Sequence, residues 1–473
     1  MQGCPSILRG VWYNKQKGLC PDQHDEVTRM LFSSITFLFI FLPAVVLLHA
    51  ALPEKWRNGF LLAASVAFYC FGDAKYLPLL AALTVVNYLS GRGLAAWQGT
   101  RRRVLLFVSA GLNLLALGYY KYVGMLPFVT EPPALPLGIS FYIFQSLSYL
   151  FDVHAGRVKA EKSLADYAAY IMLFPQLIAG PIVRYDDVAR ELHTRRLQPR
   201  QMEAGMTSFL LGLASKVLVA NELGALYEAL AVIPQRGMLA SAVMLLAYGF
   251  QLYYDFNGYS LMAIGIGRML GFEFPKNFDH PFTSRSISEF WRRWHITLGD
   301  WLRLYIYIPL GGSRRGNVRR VVNLLITWGL SGLWHGAGLN FAAWGLYFGV
   351  LIALEAVLIG EWLERHPRIG WAYAFGAVLL SWVLFANDTP AALGGFLAEL
   401  VSLRMGTNVL FTIGCFLPVL LAACLLASGR VCGWLKRWTD RPAVRVVLLL
   451  ALLVLCTASL LRSSYNPFLY FRF

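Results

Sequence analysis

Charged residues are scarce in this sequence: they make up 14% of its 473 residues, whereas hydrophobic residues make up 57%. Soluble domains usually carry about a quarter charged residues, so this composition excludes an ordinary water-soluble protein. The hydrophobic residues fall in blocks, and about 20 of them in a helix are enough to cross a bilayer. Because a membrane segment must satisfy its backbone polar groups internally, we expect these blocks to form helices.

The sequence also lacks the usual motifs of nucleotide and metal chemistry. It has no Walker loop, no Rossmann glycine fingerprint and no group of residues with metal-ligand spacing. Its seven cysteines include no CxxC pair, and no Gly-x-Ser-x-Gly turn supplies a nucleophilic serine. We therefore predict neither a metal ion nor a bound cofactor.

Acidic residues are fewer than basic ones, which gives a formal net charge of +16. The positive charge lies in short clusters between the apolar blocks, for example at Arg101–Arg103 and in the stretch 314–320. Such clusters are typical of loops that set the orientation of a membrane protein and contact anionic lipid. We therefore expect membrane lipid, and no nucleic acid, as a partner.

The basic clusters also predict a segment that does not cross the membrane. If Arg101–Arg103 is cytoplasmic, Arg57 lies on the same side, but a simple count of spans places the basic stretch 184–200 outside. A basic stretch is unfavourable on the outer side of the membrane. The stretch stays inside if residues 164–182, which proline and glycine interrupt, enter and leave on the same face of the membrane. Non-helical backbone at that depth must be buried in protein or line a cavity, so we expect this segment near a functional centre.

The remaining organisation divides the chain into a leader and one domain. Residues 1–29 are polar, and they are either an upstream extension, with the native chain starting at Met30, or a short disordered tail. No repeat or soluble domain is visible in residues 30–473. We predict there an all-α polytopic membrane bundle of about eleven or twelve transmembrane helices, with re-entrant and interfacial helices and a catalytic core at about 250–350.

The least membrane-like part of this domain is the segment 282–349. Ser286 and Glu289 have the spacing of a capping box, which predicts the start of a helix. A single helix continuing from there either lies along the membrane interface or packs on the bundle as an ordinary amphipathic helix. Its apolar face contains Phe290, Trp291, Trp294, Leu298, Trp301, Leu302 and Tyr305.

Two histidines in this segment are candidate catalytic residues. His295 lies on the predicted helix, and His335 ends a strongly apolar stretch. An ionisable residue inside a membrane block is costly and is a functional candidate, although each histidine can also be one that binds a backbone carbonyl or lies at the interface. Histidine can take a proton from a hydroxyl and return it to a leaving group. This chemistry fits acyl transfer to a hydroxyl without singling it out.

Three motifs in the same region point to a family. Residues 286–295 read SISEFWRRWH, residues 305–312 read YIYIPLGG, and residues 332–336 read GLWHG. In these motifs, and in looser matches over most of the chain after residue 29, the sequence resembles the membrane-bound O-acyltransferases. The resemblance is to the branch that contains the membrane subunit of alginate O-acetylation.

The resemblance implies a helical bundle with a central tunnel, at the bacterial inner membrane. It implies that His335 is the catalytic base and His295 the second active-site position. The family moves acyl groups from a cytoplasmic thioester toward an extracytoplasmic acceptor, with acetyl-CoA or an acyl carrier as the donor. In this branch a periplasmic acetyltransferase partner protein then modifies a polysaccharide acceptor. The substrate-binding residues that we assign on this basis are Asn257, Tyr259, Trp334 and Arg293.

Two positions depart from the branch pattern, because Leu261 and Leu304 stand where an acidic residue is common. The acceptor therefore stays open between alginate, peptidoglycan and cellulose, and D-alanyl transfer to teichoic acid is a further alternative. A transporter or flippase for a lipid-linked sugar or acyl group, or an inactive scaffold subunit, would be the non-enzymatic alternatives. The presence of both histidine motifs argues against them.

Overall fold

The computed structural model describes residues 30–462 and Phe468, and these residues form helices and loops without a β-strand. The predicted all-α class is therefore confirmed. The helices are α1 (Leu42–Ala51), α2 (Glu54–Asp73), α3 (Leu77–Ala96), α4 (Gly99–Tyr122), α5 (Ile139–His154), α6 (Leu164–Met172), α7 (Phe174–Leu177), α8 (Tyr185–His193), α9 (Pro199–Ala214), α10 (Asn221–Ala231), α11 (Gly237–Met269), α12 (Ile287–Arg293), α13 (Ile296–Leu302), α14 (Gly316–His335), α15 (Leu339–Leu354), α16 (Gly360–Arg365), α17 (Pro367–Ala386), α18 (Pro390–Leu400), α19 (Val409–Leu426), α20 (Gly429–Thr439) and α21 (Pro442–Arg462). Short π-helical turns cover Phe37–Phe41, Ser215–Ala220, Arg303–Tyr307 and Glu355–Ile359.

Eight helical stretches in the described part of the chain are long and apolar enough to cross a membrane, which makes this a multi-pass membrane protein. One of them, Glu54–Ala96, contains both α2 and α3. In α11, 67% of the membrane-length window is buried in protein, whereas the figure for α21 is 6%. Helix α11 is therefore central, and α21 lies at the periphery of the bundle. The predicted eleven or twelve crossings also count shorter or more polar helices, such as α14 with its basic first turns.

Helices α9 and α11 pack closely because glycines lie at their contact. A Cβ atom at Gly212 would lie 2.4 Å from the carbonyl oxygen of Gly258, and one at Gly265 would lie 2.5 Å from the carbonyl oxygen of Gly205. Small residues let membrane helices approach to this distance. The contact sets α11 against the π-helical turn Ser215–Ala220, which directly follows α9.

The two ends of the segment 164–182 lie close together, as a segment that enters and leaves on one face requires. Glu161 precedes the segment and His193 follows it, yet their side chains lie 3.0 Å apart. Helices α6 and α7, with nine and four residues, are too short to cross a bilayer. Arg57, at the start of α2, donates to the carbonyl oxygen of Arg195 at 3.5 Å, which places it on the same face.

The predicted single helix from Ser286 is wrong, because the chain breaks at His295 into α12 and α13. The start is as predicted, since the N–H of Glu289 donates to Oγ of Ser286 at 3.0 Å. His295 has left-handed backbone angles (φ 44°, ψ 53°), which are uncommon for a residue with a side chain. The aromatic residues from Phe290 to Trp301 are buried, so this region packs inside the bundle and not along the membrane interface.

Candidate active site

His335 is the last residue of α14, and its imidazole ring is buried. Its Nδ1 lies 2.7 Å from the carbonyl oxygen of Ser331, one helical turn earlier. A carbonyl oxygen can only accept a hydrogen bond, so Nδ1 carries the proton and Nε2 of the neutral ring carries the lone pair. Nε2 is therefore the atom of His335 that can remove a proton from a substrate.

Helix α4 holds the end of α14 that carries His335. Nζ of Lys121 and the hydroxyl of Tyr122 donate to the carbonyl oxygens of Trp334 and Leu333. The last carbonyl groups of a helix have no hydrogen-bond partner within that helix, so Lys121 and Tyr122 supply the missing hydrogen bonds. The position of His335 is thus fixed from outside its own helix.

The second histidine, His295, is held by side chains. Its Nδ1 lies 3.1 Å from Oδ1 of Asn277, which also accepts from Oγ1 of Thr297 at 2.9 Å. Nδ2 of Asn277 donates to Oγ of Ser260 at 3.0 Å and faces the carbonyl oxygen of Gly180 at 3.4 Å. This orientation makes Oδ1 the acceptor and Nδ1 of His295 the donor. Nε2 of His295 is buried, and no hydrogen-bond partner for it lies among the residues that the structure describes.

The re-entrant segment contributes to this support. The N–H of Ile182 donates to Oγ1 of Thr297 at 2.9 Å. Together with the approach of Asn277 to Gly180, this contact joins the end of segment 164–182 to the groups that hold His295. The conformation of His295 thus depends on the re-entrant segment as well as on its own loop.

Trp334 lies between the two histidines. Its ring centroid is 4.9 Å from that of His335 and 6.1 Å from that of His295. Phe256 contacts His295 edge-on, with 4.7 Å between the ring centroids. The two histidines therefore share one aromatic environment, in which water has little access.

A cavity of about 30 Å³ opens beside His335. Its size gives room for one or two water-sized groups. The walls are mainly aromatic, and the titratable side chains among them are those of His335 and Asp255. The lining residues are Leu252, Asp255, Phe256, Trp294, His335, Trp344, Trp382, Phe385 and Phe468.

Asp255 forms a buried ion pair with Lys216, with 2.6 Å between Nζ and Oδ1. The two side chains are only 2% and 7% exposed. Lys216 lies on the π-helical turn after α9, and Asp255 lies on α11. An ion pair therefore lies inside two candidate membrane spans, next to the cavity that contains His335.

The other predicted site residues surround this cavity less directly. Tyr259 is buried and stacks on Phe468, a lining residue, with 5.0 Å between the ring centroids. Asn257 is half-buried on α11. Arg293 pairs with Glu289, with 2.9 Å between Nη2 and Oε1. None of the four predicted substrate-binding residues lines the cavity, but Tyr259 and Trp334 contact the lining residues Phe468 and His335.

Three residues of this site were not predicted from the sequence: Asn277, Lys216 and Asp255. Lys216 gave a signal, because it is a charge within an apolar block. Asn277 gave none, since it lies in a polar loop without periodicity. Within the residues that the structure covers, no three His, Cys, Asp or Glu side chains lie close enough to hold a metal ion.

Comparisons with known proteins agree with the motifs. The family model of the membrane-bound O-acyltransferases matches residues 15–386. A protein of Pseudomonas putida named probable alginate O-acetylase is 36% identical, over 94% of this chain and 100% of that protein. A protein of the same name from Pseudomonas aeruginosa is 40% identical, over 76% of this chain and 72% of that protein. The peptidoglycan O-acetyltransferase of Helicobacter pylori is 32% identical, over 77% and 78%.

Proposed function

The chain belongs to the membrane-bound O-acyltransferase family, and from this membership we propose that it moves acetyl groups from cytoplasmic acetyl-CoA across the bacterial inner membrane for O-acetylation of an exported polysaccharide. Two relatives named alginate O-acetylase support alginate as the acceptor. The receiving protein is a periplasmic acetyltransferase partner. The multi-pass fold supports a reaction within the membrane, where each substrate approaches from its own side.

The observation that carries this proposal is the position of the proton on the imidazole ring of His335. Its Nδ1 donates to the carbonyl oxygen of Ser331, so Nε2 of the neutral ring carries the lone pair that a base requires. Nε2 removes the proton of the acceptor hydroxyl while the hydroxyl oxygen attacks the thioester carbonyl carbon. The C–O bond forms, the C–S bond breaks, and His335 returns the proton to the leaving thiolate.

His295 has a different role in this scheme. Because its Nδ1 donates to Asn277, its Nε2 can accept a hydrogen bond but cannot donate one while the ring is neutral. A neutral His295 therefore does not stabilise the oxyanion, and because the one proton of the reacting hydroxyl passes to His335, we assign His295 a hydrogen bond from another donor group of the bound substrate. Tyr259 and Trp334, which pack against the site, remain our candidates for contact with the acyl group. Asn257 and Arg293 remain candidates for contact with substrate farther from the cavity.

The test compares polymer-linked O-acetyl in cells that carry wild-type protein or the His335→Ala variant, at matched membrane levels. A missing general base lowers the rate by about 10²–10⁴-fold, so we expect the acetyl signal to fall to background. His366→Ala is the matched control, because Nδ1 of His366 also binds the carbonyl oxygen four residues earlier, at 2.9 Å, but the residue is exposed.

The polymer that loses acetyl groups identifies the acceptor. Loss from alginate supports the proposal as stated, and loss from peptidoglycan would favour the activity named for the Helicobacter pylori relative. An acetyl signal that survives in His335→Ala at the wild-type level would overturn the assignment of the base. Labelled acetyl-CoA supplied to inside-out membrane vesicles tests the donor and its side at the same time.

A further inference from the structure

The cavity beside His335 is small and is lined mainly by aromatic side chains. Its volume of about 30 Å³ gives room for one or two water-sized groups. Of the nine described residues that line it, six are phenylalanine or tryptophan. The proposed mechanism uses the imidazole of His335 but gives the size of this cavity no role.

A space of this size suits one of the reacting groups. The acceptor hydroxyl and the thiol of the donor are each attached to a large molecule, so each needs an open route to His335. The acyl group of acetyl-CoA is different, because it ends at its methyl group. The methyl group and the carbonyl oxygen are two groups of about the size of a water molecule, which matches the room in the cavity.

Trp382 forms the wall of the cavity one layer beyond two of the rings that contact His335. Its ring centroid lies 5.7 Å from that of Phe385 and 6.2 Å from that of Trp344. These two rings contact His335, with centroid distances of 6.0 and 4.8 Å. Trp382 also lies 5.4 Å from Trp294, another lining residue. An acyl chain that extends from His335 past these two rings therefore meets the indole of Trp382.

The indole of Trp382 is held in place by α11. It packs on Gly249, where an added Cβ atom would lie 3.2 Å from Cδ1 and 3.3 Å from Nε1 of the indole. Trp382 is 2% exposed and lies within α17, a helix of 20 residues. A closely packed interior does not admit an additional methylene group without a cost in free energy. The wall at Trp382 therefore resists displacement by a longer acyl chain.

We propose that the acyl group of the donor binds in this cavity and that Trp382 limits its length, so that the site accepts acetyl and rejects propionyl and longer acyl groups. This inference rests on the proposed function. Trp382 forms and breaks no bond in the reaction and acts as a specificity-determining residue. One methylene group in a closely fitting apolar pocket changes the rate of transfer by about 10–200-fold.

The test replaces Trp382 by smaller apolar residues and measures which acyl group is transferred. Inside-out membrane vesicles from cells that make the polymer receive equal concentrations of acetyl-CoA and propionyl-CoA, and mass spectrometry gives the ratio of propionyl to acetyl on the polymer. We expect wild type to transfer mainly acetyl. In Trp382→Phe the ratio should rise at least about tenfold, because the smaller ring leaves room for a methylene group. In Trp382→Leu, butyryl-CoA should become a donor as well.

Trp328 provides the matched control. It is buried on α14, the helix that ends at His335, and it is not among the described residues that line the cavity. Trp328→Phe makes the same change of side chain, and its ratio of propionyl to acetyl should stay at the wild-type value. Because each ratio compares two products of the same molecules, a lower membrane level of a variant does not alter it.

A second measurement excludes selection of the acyl group by a partner protein. The melting temperature of the purified protein in detergent is measured with thioether analogues of acetyl-CoA and propionyl-CoA, which bind but cannot transfer the acyl group. The acetyl analogue should stabilise wild type more than the propionyl analogue does. In Trp382→Phe the propionyl analogue should stabilise the protein at least as much as the acetyl analogue. If a Trp382 variant transfers no acyl group, these melting temperatures decide.

Three outcomes would overturn the proposal. The first is a wild-type protein that transfers propionyl as readily as acetyl, and the second is a pair of Trp382 variants with wild-type ratios and melting-temperature differences. The third is an equal rise of the ratio in Trp328→Phe, since any loss of core packing would then have the same effect. If wild type transfers neither acyl group, the proposed function fails. If wild type transfers acetyl and the Trp382 variants keep its preference, only the inference about Trp382 fails.

Discussion

Two polar hubs hold the re-entrant segment 164–182, and they use different chemistry. At Gly180 and Ile182, near the end of the segment, the neutral amide of Asn277 binds His295 and its surroundings. Next to the start of the segment, the carboxylate of Glu161 accepts a hydrogen bond from Tyr185 at 2.5 Å and two more from backbone N–H groups at 2.6 and 2.9 Å. Both hubs are buried, so the difference lies in the charge.

The electrostatics of burial explain this difference. An amide both donates and accepts, so it satisfies several buried neighbours without a net charge. A carboxylate surrounded by protein costs several kcal/mol unless donors or cations compensate it. Glu161 lies in a loop beside His193, whose side chain is 50% exposed. A charged hub therefore occurs where the chain reaches the surface, and a neutral hub occurs at depth beside His295.

The largest effect should come from loss of the neutral hub. Asn277→Ala leaves His295, Thr297 and Ser260 without their shared partner, and each unpaired buried group costs about 1–3 kcal/mol. Displacement of a site residue by even 1 Å can lower a rate by about a hundredfold. We expect both a lower melting temperature and near-complete loss of polymer acetylation per molecule in the membrane.

Asn113→Ala is the control for this prediction. Asn113 is also buried, and it binds Asn87 between α3 and α4, with Nδ2–Oδ1 distances of 2.7 and 3.0 Å, away from both histidines. Its loss should lower the melting temperature without a matching loss of acetylation per molecule. Equal activity losses in the two variants would mean that Asn277 acts only through stability.

The charged hub predicts an effect of pH. Burial alone would raise the pKa of Glu161, but hydrogen bonds from Tyr185 and from the N–H groups of Ser163 and Lys162 outweigh it and lower the pKa below 4.5. Stability from this carboxylate is therefore fully present above about pH 4.5 and is lost as pH falls through the lower folded-state pKa. We expect Glu161→Gln to lower the melting temperature at neutral pH. The free energy of unfolding should fall by about 1–3 kcal/mol.

Melting curves of the purified protein in detergent between about pH 7 and pH 3 test this sign. The difference between wild type and Glu161→Gln should shrink as the pH falls, because wild type loses the contribution that the variant already lacks. A difference that stays constant over this range would contradict a role for the charge. Acetylation per molecule should fall less than in Asn277→Ala, since Glu161 binds the segment far from His295 in the hydrogen-bond network.

The two hubs also mark what the sequence can predict. The re-entrant segment followed from the basic stretch 184–200, because an unfavourable charge on one side of the membrane is a signal that depends on composition alone. The break at His295 did not follow, since apolar residues keep a helical period across it. A left-handed backbone at a histidine is imposed by Asn277 and its neighbours, and contacts between distant parts of the chain leave no local pattern.

Buried charges show the same difference between what the sequence reveals and what only contacts between distant residues reveal. Lys216 was visible in the sequence as a single cation in an apolar block, but its partner Asp255 lies on another helix, and a long cationic side chain can also extend to the membrane surface. Only the packing of α9 against α11 shows that the ammonium stays inside. His335 was predicted from its motif. The hydrogen bond that puts the proton of its neutral ring on Nδ1 depends on the helical geometry that brings the carbonyl oxygen of Ser331 to it.

The smallest effect should come from the surface partner of the charged hub. Nε2 of His193 lies 3.0 Å from Oε2 of Glu161, but the histidine side chain is 50% exposed. Exposed pairs contribute about 0–1 kcal/mol, so His193→Gln should change the melting temperature much less than Glu161→Gln and leave acetylation near the wild-type level. A loss as large as that of Glu161→Gln would mean that the hub depends on a cation at its edge. The buried carboxylate of Glu161 would then need a nearby cation, whereas the neutral amide of Asn277 needs only its buried hydrogen-bond partners.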